Sequence, residues 1–148
     1  MAGIGLEVCV EDLAGLAAAV AGGAMRIELC AGLDLGGLTP GPGLMAGAAG
    51  AGVPVLTLIR PRHGDFCYGK EDLAACLADI RAARQAGLAG VVIGAAQGDG
   101  TLDRDAIGRM IDAAGDMDLT LHRVFDTLPD RTAGLEAAVS KSIGRILT

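Results

Sequence analysis

The sequence is poor in aromatic residues: among its 148 residues only Phe66, Tyr68 and Phe125 are aromatic. That is too few for a platform on which nucleic-acid bases could stack. Basic residues are also scarce, 12 against 18 acidic ones, for a net charge of -6. An acidic chain opposes a non-specific grip on phosphate backbones, so no nucleic-acid partner is expected. Long apolar runs are missing. The least charged stretch, residues 32–59, is broken by Asp34, by Gly36-Gly37 and by Pro40, Pro42 and Pro54. No run reaches the roughly 18 apolar residues of a transmembrane helix, so no membrane partner is expected. The first residues carry no basic cluster and meet Glu7 early, so no signal peptide is expected. Cys9, Cys30, Cys67 and Cys76 contain no C-x-x-C pair, which leaves zinc-ribbon and thioredoxin motifs without support. Without a secretory signal they read as reduced thiols, and the chain as cytoplasmic.

What is present is a globular composition, 51% hydrophobic and 20% charged, with 24 glycines. The length suits one domain over residues 1–148. Strand-like segments alternate with helical ones. Leu6, Val8 and Val10 share one phase, with Glu7 and Cys9 on the other. Glu11-Asp12 opens a helix that Gly22-Gly23 closes. Residues 25–30 repeat the strand logic, with Ile27 and Leu29 opposite Arg26, Glu28 and Cys30. A Gly/Pro-rich loop and a small helix over about residues 43–51 follow. Residues 53–60 form a near-continuous apolar strand, as in a parallel sheet covered on both faces. A helix over residues 70–86, a strand over 90–94, a helix capped by Asp103, a strand over 118–123, a helix over 132–140 and a last strand over 145–148 complete the pattern.

Strict strand–helix alternation predicts a parallel α/β sheet with right-handed crossovers. Glu7, Glu28, Arg60 and His122 all fall on one strand face, and we place them at the C-terminal ends, where TIM barrels carry their sites. No G-x-G-x-x-G joins the first strand to its helix, so no nucleotide cofactor is expected. The expected fold is therefore a TIM (β/α)8-type barrel, incomplete at about six units. Six strands do not close such a barrel. The outer strands should be edges, and the faces around Leu13, Leu16, Val20, Leu135 and Val139 should be exposed. That predicts a homo-oligomer.

Several constellations could carry chemistry. Glu7 and Glu28, pointing inward, need partners such as Arg26, Arg60 or Arg62. They read either as a structural ion network or as an anion or metal site with one carboxylate as general acid or base. Arg60 and Arg62 alternate about Pro61 and suit a carboxylate or phosphate, unless Asp65 ties Arg62 down. His122 titrates nearest neutrality and is read as an acid, a base, a ligand or a hydrogen-bonded partner of Glu7 or Glu28. Arg123 and Asp126 follow it as further candidates for binding a substrate. Cys9 and Cys30 sit two residues beyond Glu7 and Glu28 on the same faces. They are either small buried hydrophobes or a pair of soft ligands able to hold Cu(I).

The strings Leu6-Glu7-Val8-Cys9, Arg26-Ile27-Glu28-Leu29-Cys30, Gly36-Gly37-Leu38-Thr39-Pro40, Ile59-Arg60-Pro61-Arg62 with Gly64-Asp65-Phe66, His122-Arg123 with Phe125-Asp126, and Arg145-Ile146-Leu147-Thr148 occur in that order. Together they resemble the CutC family, named for copper homeostasis, across essentially the whole chain. His63 and Val124 stand where that family usually has Gly and Ala. The resemblance implies a TIM barrel, its first three quarters being present here. It also implies a cytoplasmic location and Cu(I) held by Cys9 and Cys30. The alternatives are a barrel enzyme acting on a small anionic substrate through Glu7, Glu28, Arg60 and His122, and a fragment without activity of its own.

Overall fold

The structure, a computed structural model, describes residues 4–148. Its strands are β1 (Glu7–Val10), β2 (Arg26–Leu29), β3 (Val55–Leu58), β4 (Gly90–Ile93), β5 (Asp118–Leu121) and β6 (Arg145–Ile146). Between them run the helices α1 (Leu13–Ala21), α2 (Pro42–Ala48), α3 (Lys70–Gln85), α4 (Arg104–Ala114) and α5 (Arg131–Ser140). All neighbouring strands are parallel and lie in chain order from β1 to β6. The sheet is a curled half-barrel of the TIM type, as strict alternation predicts.

Strand phase divides the core in two. Val10, Ile27, Leu29, Val55, Val91, Ile93, Leu119 and Leu121 face outward and pack with Leu16, Met45, Cys76, Ile80, Ile107 and Met110 from the helices. Cys30, Leu56, Leu58 and Val92 form a smaller buried cluster of the opposite phase, on the inner face. Three helices start where an aspartate caps them: the side chains of Asp12, Asp103 and Asp130 accept the backbone N–H of Gly15, Ala106 and Ala133. The small helix starts at Pro42, earlier than the expected 43, because proline suits a first helical turn.

Two short 3₁₀ turns, Leu33–Leu35 and Arg123–Thr127, were not foreseen. The first belongs to a loop pinned by a bridge between Ala31 and Leu38. That loop reverses at Gly37, whose φ of +87° is left-handed. A Cβ there would stand 2.8 Å from Leu58 Cδ2 and 3.8 Å from Cys30 Sγ, so the loop lies directly over the inner face.

Within the chain β1 and β6 each pair on one side only. Leu13, Leu135 and Val139 are exposed as expected. Leu16 and Val20 are not: Leu16 is 6% exposed, because it packs into the core between helices and sheet, and Val20 is partly buried against the same core.

Gly90 tests how tightly the sheet is fitted. A Cβ there would meet the Asp118 carbonyl at 2.5 Å, and Asp118 Cβ and Leu56 Cγ at 2.8 Å. Gly90→Ala should lower stability by about 1–3 kcal/mol, read as a shifted urea midpoint. An unchanged midpoint would contradict the packing described for β3, β4 and β5.

Candidate functional site

The inner face carries two groups of chemically active side chains. The first lies on β1 and β2. The register sets Glu7 opposite Arg26 and Cys9 opposite Glu28, with Cys30 one step beyond β2. Arg26 Nε donates to Glu7 Oε2 at 2.7 Å, and its Nη2 donates to the same oxygen. Glu7 is thereby neutralised. Glu28 is 4% exposed and pairs with no cation among the described residues. Its donors are thiols: Cys9 Sγ lies 3.7 Å from Oε2 and Cys30 Sγ 3.8 Å from Oε1. Burial, with the nearby charge of Glu7, pushes the Glu28 carboxyl above its ordinary value.

Both thiols thus meet at the one Glu28 carboxylate, and their interaction with each other splits their acidities. The hydrogen bond from Cys30 lowers the Cys9 thiol, against the opposing effects of burial and Glu28. Cys30 is raised, first by that same bond to Cys9 and then by its burial. The pair therefore yields its first proton from Cys9, which is exposed, and retains the second on Cys30, which is buried.

The second group sits at the C-terminal ends of β3, β4 and β5. Arg60 follows β3 in the phase of Leu56 and Leu58, and His122 follows β5 in the phase of Thr120. Arg60 Nη1 donates to the carbonyls of Leu35 and Gly37 at 3.1 and 3.0 Å, and Nη2 to that of Gly64 at 2.9 Å. Its guanidinium lies over the Phe66 ring, 5.2 Å from the centroid. The other neighbour of Phe66 is His122, with ring centroids 4.8 Å apart. His122 caps the 3₁₀ turn: the Val124 N–H donates to Nδ1 at 3.1 Å. Nδ1 is thus an acceptor, and the proton of the neutral ring sits on Nε2. Burial, reinforced by the charge of Arg60, drives the imidazole down to about 3, so it is neutral at physiological pH.

Some sequence-based readings change here. Glu7 opens β1 and Glu28 lies inside β2, so only Arg60 and His122 stand at C-terminal strand ends. Among the described residues no hydrogen bond or ion pair joins the two groups. His122 is no partner of either glutamate, because the following turn takes up its Nδ1. Arg60 and Arg62 do not aim together, because the chain bends after Pro61. Arg62 Nη2 donates to Asp65 Oδ1 at 3.0 Å and Nε to Asp72 Oδ2 at 2.9 Å, which ties the loop to α3. That bond to Arg62 also holds the Asp65 carboxyl below its usual range. Arg123 Nε donates to Asp126 Oδ2 at 2.8 Å. Asp126 is held low, first by the Thr148 hydroxyl and then by Arg123. Sequence reasoning missed Phe66 as the ring on which both Arg60 and His122 pack; its place in the loop gives no periodic signal. An open groove of about 310 Å³, between the loop after β4 and the start of α5, holds no cysteine or histidine.

The depressed His122 has a consequence for stability. The unfolded chain takes up a proton near the ordinary value of 6.5 and the folded one only near 3. The stabilising contribution is present above pH 6.5 and is lost as the pH falls toward 3, with a slope of about 1.4 kcal/mol per pH unit. His122→Asn should flatten stability between pH 6 and 4, as read by thermal melts across pH. A parallel pH dependence in wild type and variant would contradict this.

Comparison with known proteins agrees with this geometry. The sequence matches the CutC family over residues 4–148. It is 55% identical over 143 residues to a family protein CutC of Caulobacter vibrioides, covering 97% of this chain and 58% of that relative. The chain thus spans about three fifths of the curated relatives it matches, rather than the three quarters that counting strands suggested. A structure from Streptococcus agalactiae, provisionally described as the copper homeostasis protein CutC, superposes with a TM-score of 0.91 at 29% identity, covering 97% of this chain and 71% of that one. A phosphoenolpyruvate phosphomutase from Streptomyces platensis subsp. rosaceus shares the fold alone, with a TM-score of 0.64 at 18% identity, over 99% of this chain and 60% of that one. With six ordered blocks, a parallel half-barrel and a match over nearly its whole length, the chain belongs to the CutC family.

Proposed function

We propose that the chain takes part in copper homeostasis by holding Cu(I), as cargo, between the sulfurs of Cys9 and Cys30. The observation that carries this reading is the thiol pair itself: Cys9 on β1 and Cys30 just beyond β2 both reach one carboxylate, Glu28, at 3.7 and 3.8 Å. Soft sulfur donors select Cu(I), which accepts low coordination numbers, over harder divalent ions. The exposed Cys9, with its lowered pKa, is the entry ligand; the buried Cys30 completes the site after losing its proton. The hard oxygens of Glu28 stay beside the ion and accept the charge change rather than competing as the main donors.

The name given to the Streptococcus relative supports the same role. A dithiol site of this kind requires a reducing compartment, and we assign the protein to the cytoplasm on that ground. No helix among the described residues is long and apolar enough to cross a membrane.

The test is competition for Cu(I) against bathocuproine disulfonate under anaerobic conditions. Wild type should bind one equivalent. Cys9→Ser and Cys30→Ser should each weaken binding at least about 100-fold, near 2.7 kcal/mol. Cys76→Ser alters a thiol buried against the helices, outside the pair, and should leave binding unchanged. Undiminished binding by the Cys9→Ser, Cys30→Ser double variant would overturn the reading.

A further inference from the structure

The β3–β5 rim has features that the copper reading does not use. Among the described residues two buried donors there lack any partner, Arg60 Nε and His122 Nε2. His122 is 3% exposed, so its orphaned N–H is shielded from water on every side. Leaving such a donor unmet costs about 1–3 kcal/mol. Both donors belong to side chains packed on the same ring, Phe66. Their strands flank β4, which contributes Gly94 at the same level. A Cβ on Gly94 would lie 2.5 Å from His122 Cε1 and 2.7 Å from Nδ1, so the imidazole leans across the bare backbone of β4.

Charge balance points the same way. Of the arginines Arg26, Arg60, Arg62 and Arg123, three are neutralised by carboxylates: Arg26 by Glu7, Arg62 by Asp65 and Asp72, and Arg123 by Asp126. Arg60 has none. Its charge rests on three loop carbonyls and an aromatic face. A half-buried cation without a counter-charge is costly to hold. Here two separate loops wrap around it, the one containing Leu35 and Gly37 and the one containing Gly64.

We propose that Arg60 and His122 form a subsite for a compact oxyanion, a carboxylate or a phosphate group, at the C-terminal rim of β3–β5. Arg60 supplies the charge and its Nε–H. Neutral His122 supplies an N–H donor of fixed tautomer, since Val124 occupies the other nitrogen. Phe66 holds both donors in place and keeps water off them, which strengthens each hydrogen bond to an anion. Ligand entry requires Phe66 to shift, because both donor atoms are covered. The subsite is separate from the Cys9–Cys30 pair and stands or falls independently of copper binding.

Histidine NMR tests this directly, because the chain has only two histidines and the exposed His63 serves as an internal reference. The chain, labelled with 15N-histidine, is titrated with sodium phosphate and separately with sodium acetate at constant ionic strength. The Nε2 signal of His122 should shift saturably with at least one anion, at a midpoint of about 10 mM or below, while His63 shows no saturable shift. The anion that binds more tightly identifies the source of the oxyanion. Arg60→Gln should weaken the response at least about ten-fold. If that variant fails to fold, Arg60→Lys, which keeps the charge but not the Nε–H, should weaken it about five-fold. Arg84→Gln, at the far end of α3 and paired with Asp116, should leave the response intact. A His122 signal that moves linearly with both anions, or moves equally in the Arg60 variants, would overturn the proposal.

Discussion

Glu28 is a carboxylate buried without a cation, and the chemistry of the inner face is arranged around it. The cation that could have neutralised it, Arg26, is two residues away on the same face and is held by Glu7. Thiols are weak donors, so two of them leave the charge of Glu28 poorly compensated. Its acidity drops accordingly, and its field disfavours loss of a proton from Cys30. Cys9 escapes this because the hydrogen bond from Cys30 outweighs it. In the copper reading, Cu(I) displaces both thiol protons and leaves a bis-thiolate centre of net charge -1; Glu28, whose pKa is already raised, takes up one of those protons and so avoids a second buried negative charge.

Strand alternation puts this group and the Arg60–His122 group on one face. Each polar residue lies an even number of positions from an inner apolar one, Arg60 from Leu58 and Glu28 from Cys30. Yet they sit at different heights. Glu7 and Arg26 begin their strands, whereas Arg60 and His122 come after theirs. Between them lies the buried layer of Cys30, Leu56, Leu58 and Val92, which is apolar apart from the thiol. The loop reversing at Gly37 touches both regions, with Leu58 and Cys30 below it and Arg60 Nη1 hydrogen-bonded to its carbonyl.

The sequence made the face of each strand legible because period-two patterning survives in segments as short as Arg26–Leu29. It also made legible the helix starts at Asp12 and Asp103, where one side chain decides the cap. Height along the barrel axis was not legible, because it depends on where pairing starts and stops. That is why Glu7 was placed at the wrong end. Side-chain partners in irregular segments were hidden too. The separation of Arg60 from Arg62 depends on a bend after Pro61, and the tautomer of His122 depends on a 3₁₀ turn of five residues. Neither leaves a periodic trace. On α1 the pattern marks Leu13, Leu16 and Val20 as one apolar face, but which of them neighbours cover depends on packing: Leu16 fits into the helix–sheet core and Leu13 does not.

The central claim is that the half-barrel brings two cysteines from neighbouring strands together as one soft-metal site. X-ray absorption at the copper edge of the Cu(I)-loaded chain measures this most directly. The account predicts a copper centre with two sulfur neighbours, which falls to at most one in Cys30→Ser. Copper surrounded by nitrogen or oxygen alone, or a sulfur signal that survives in the variant, would contradict it.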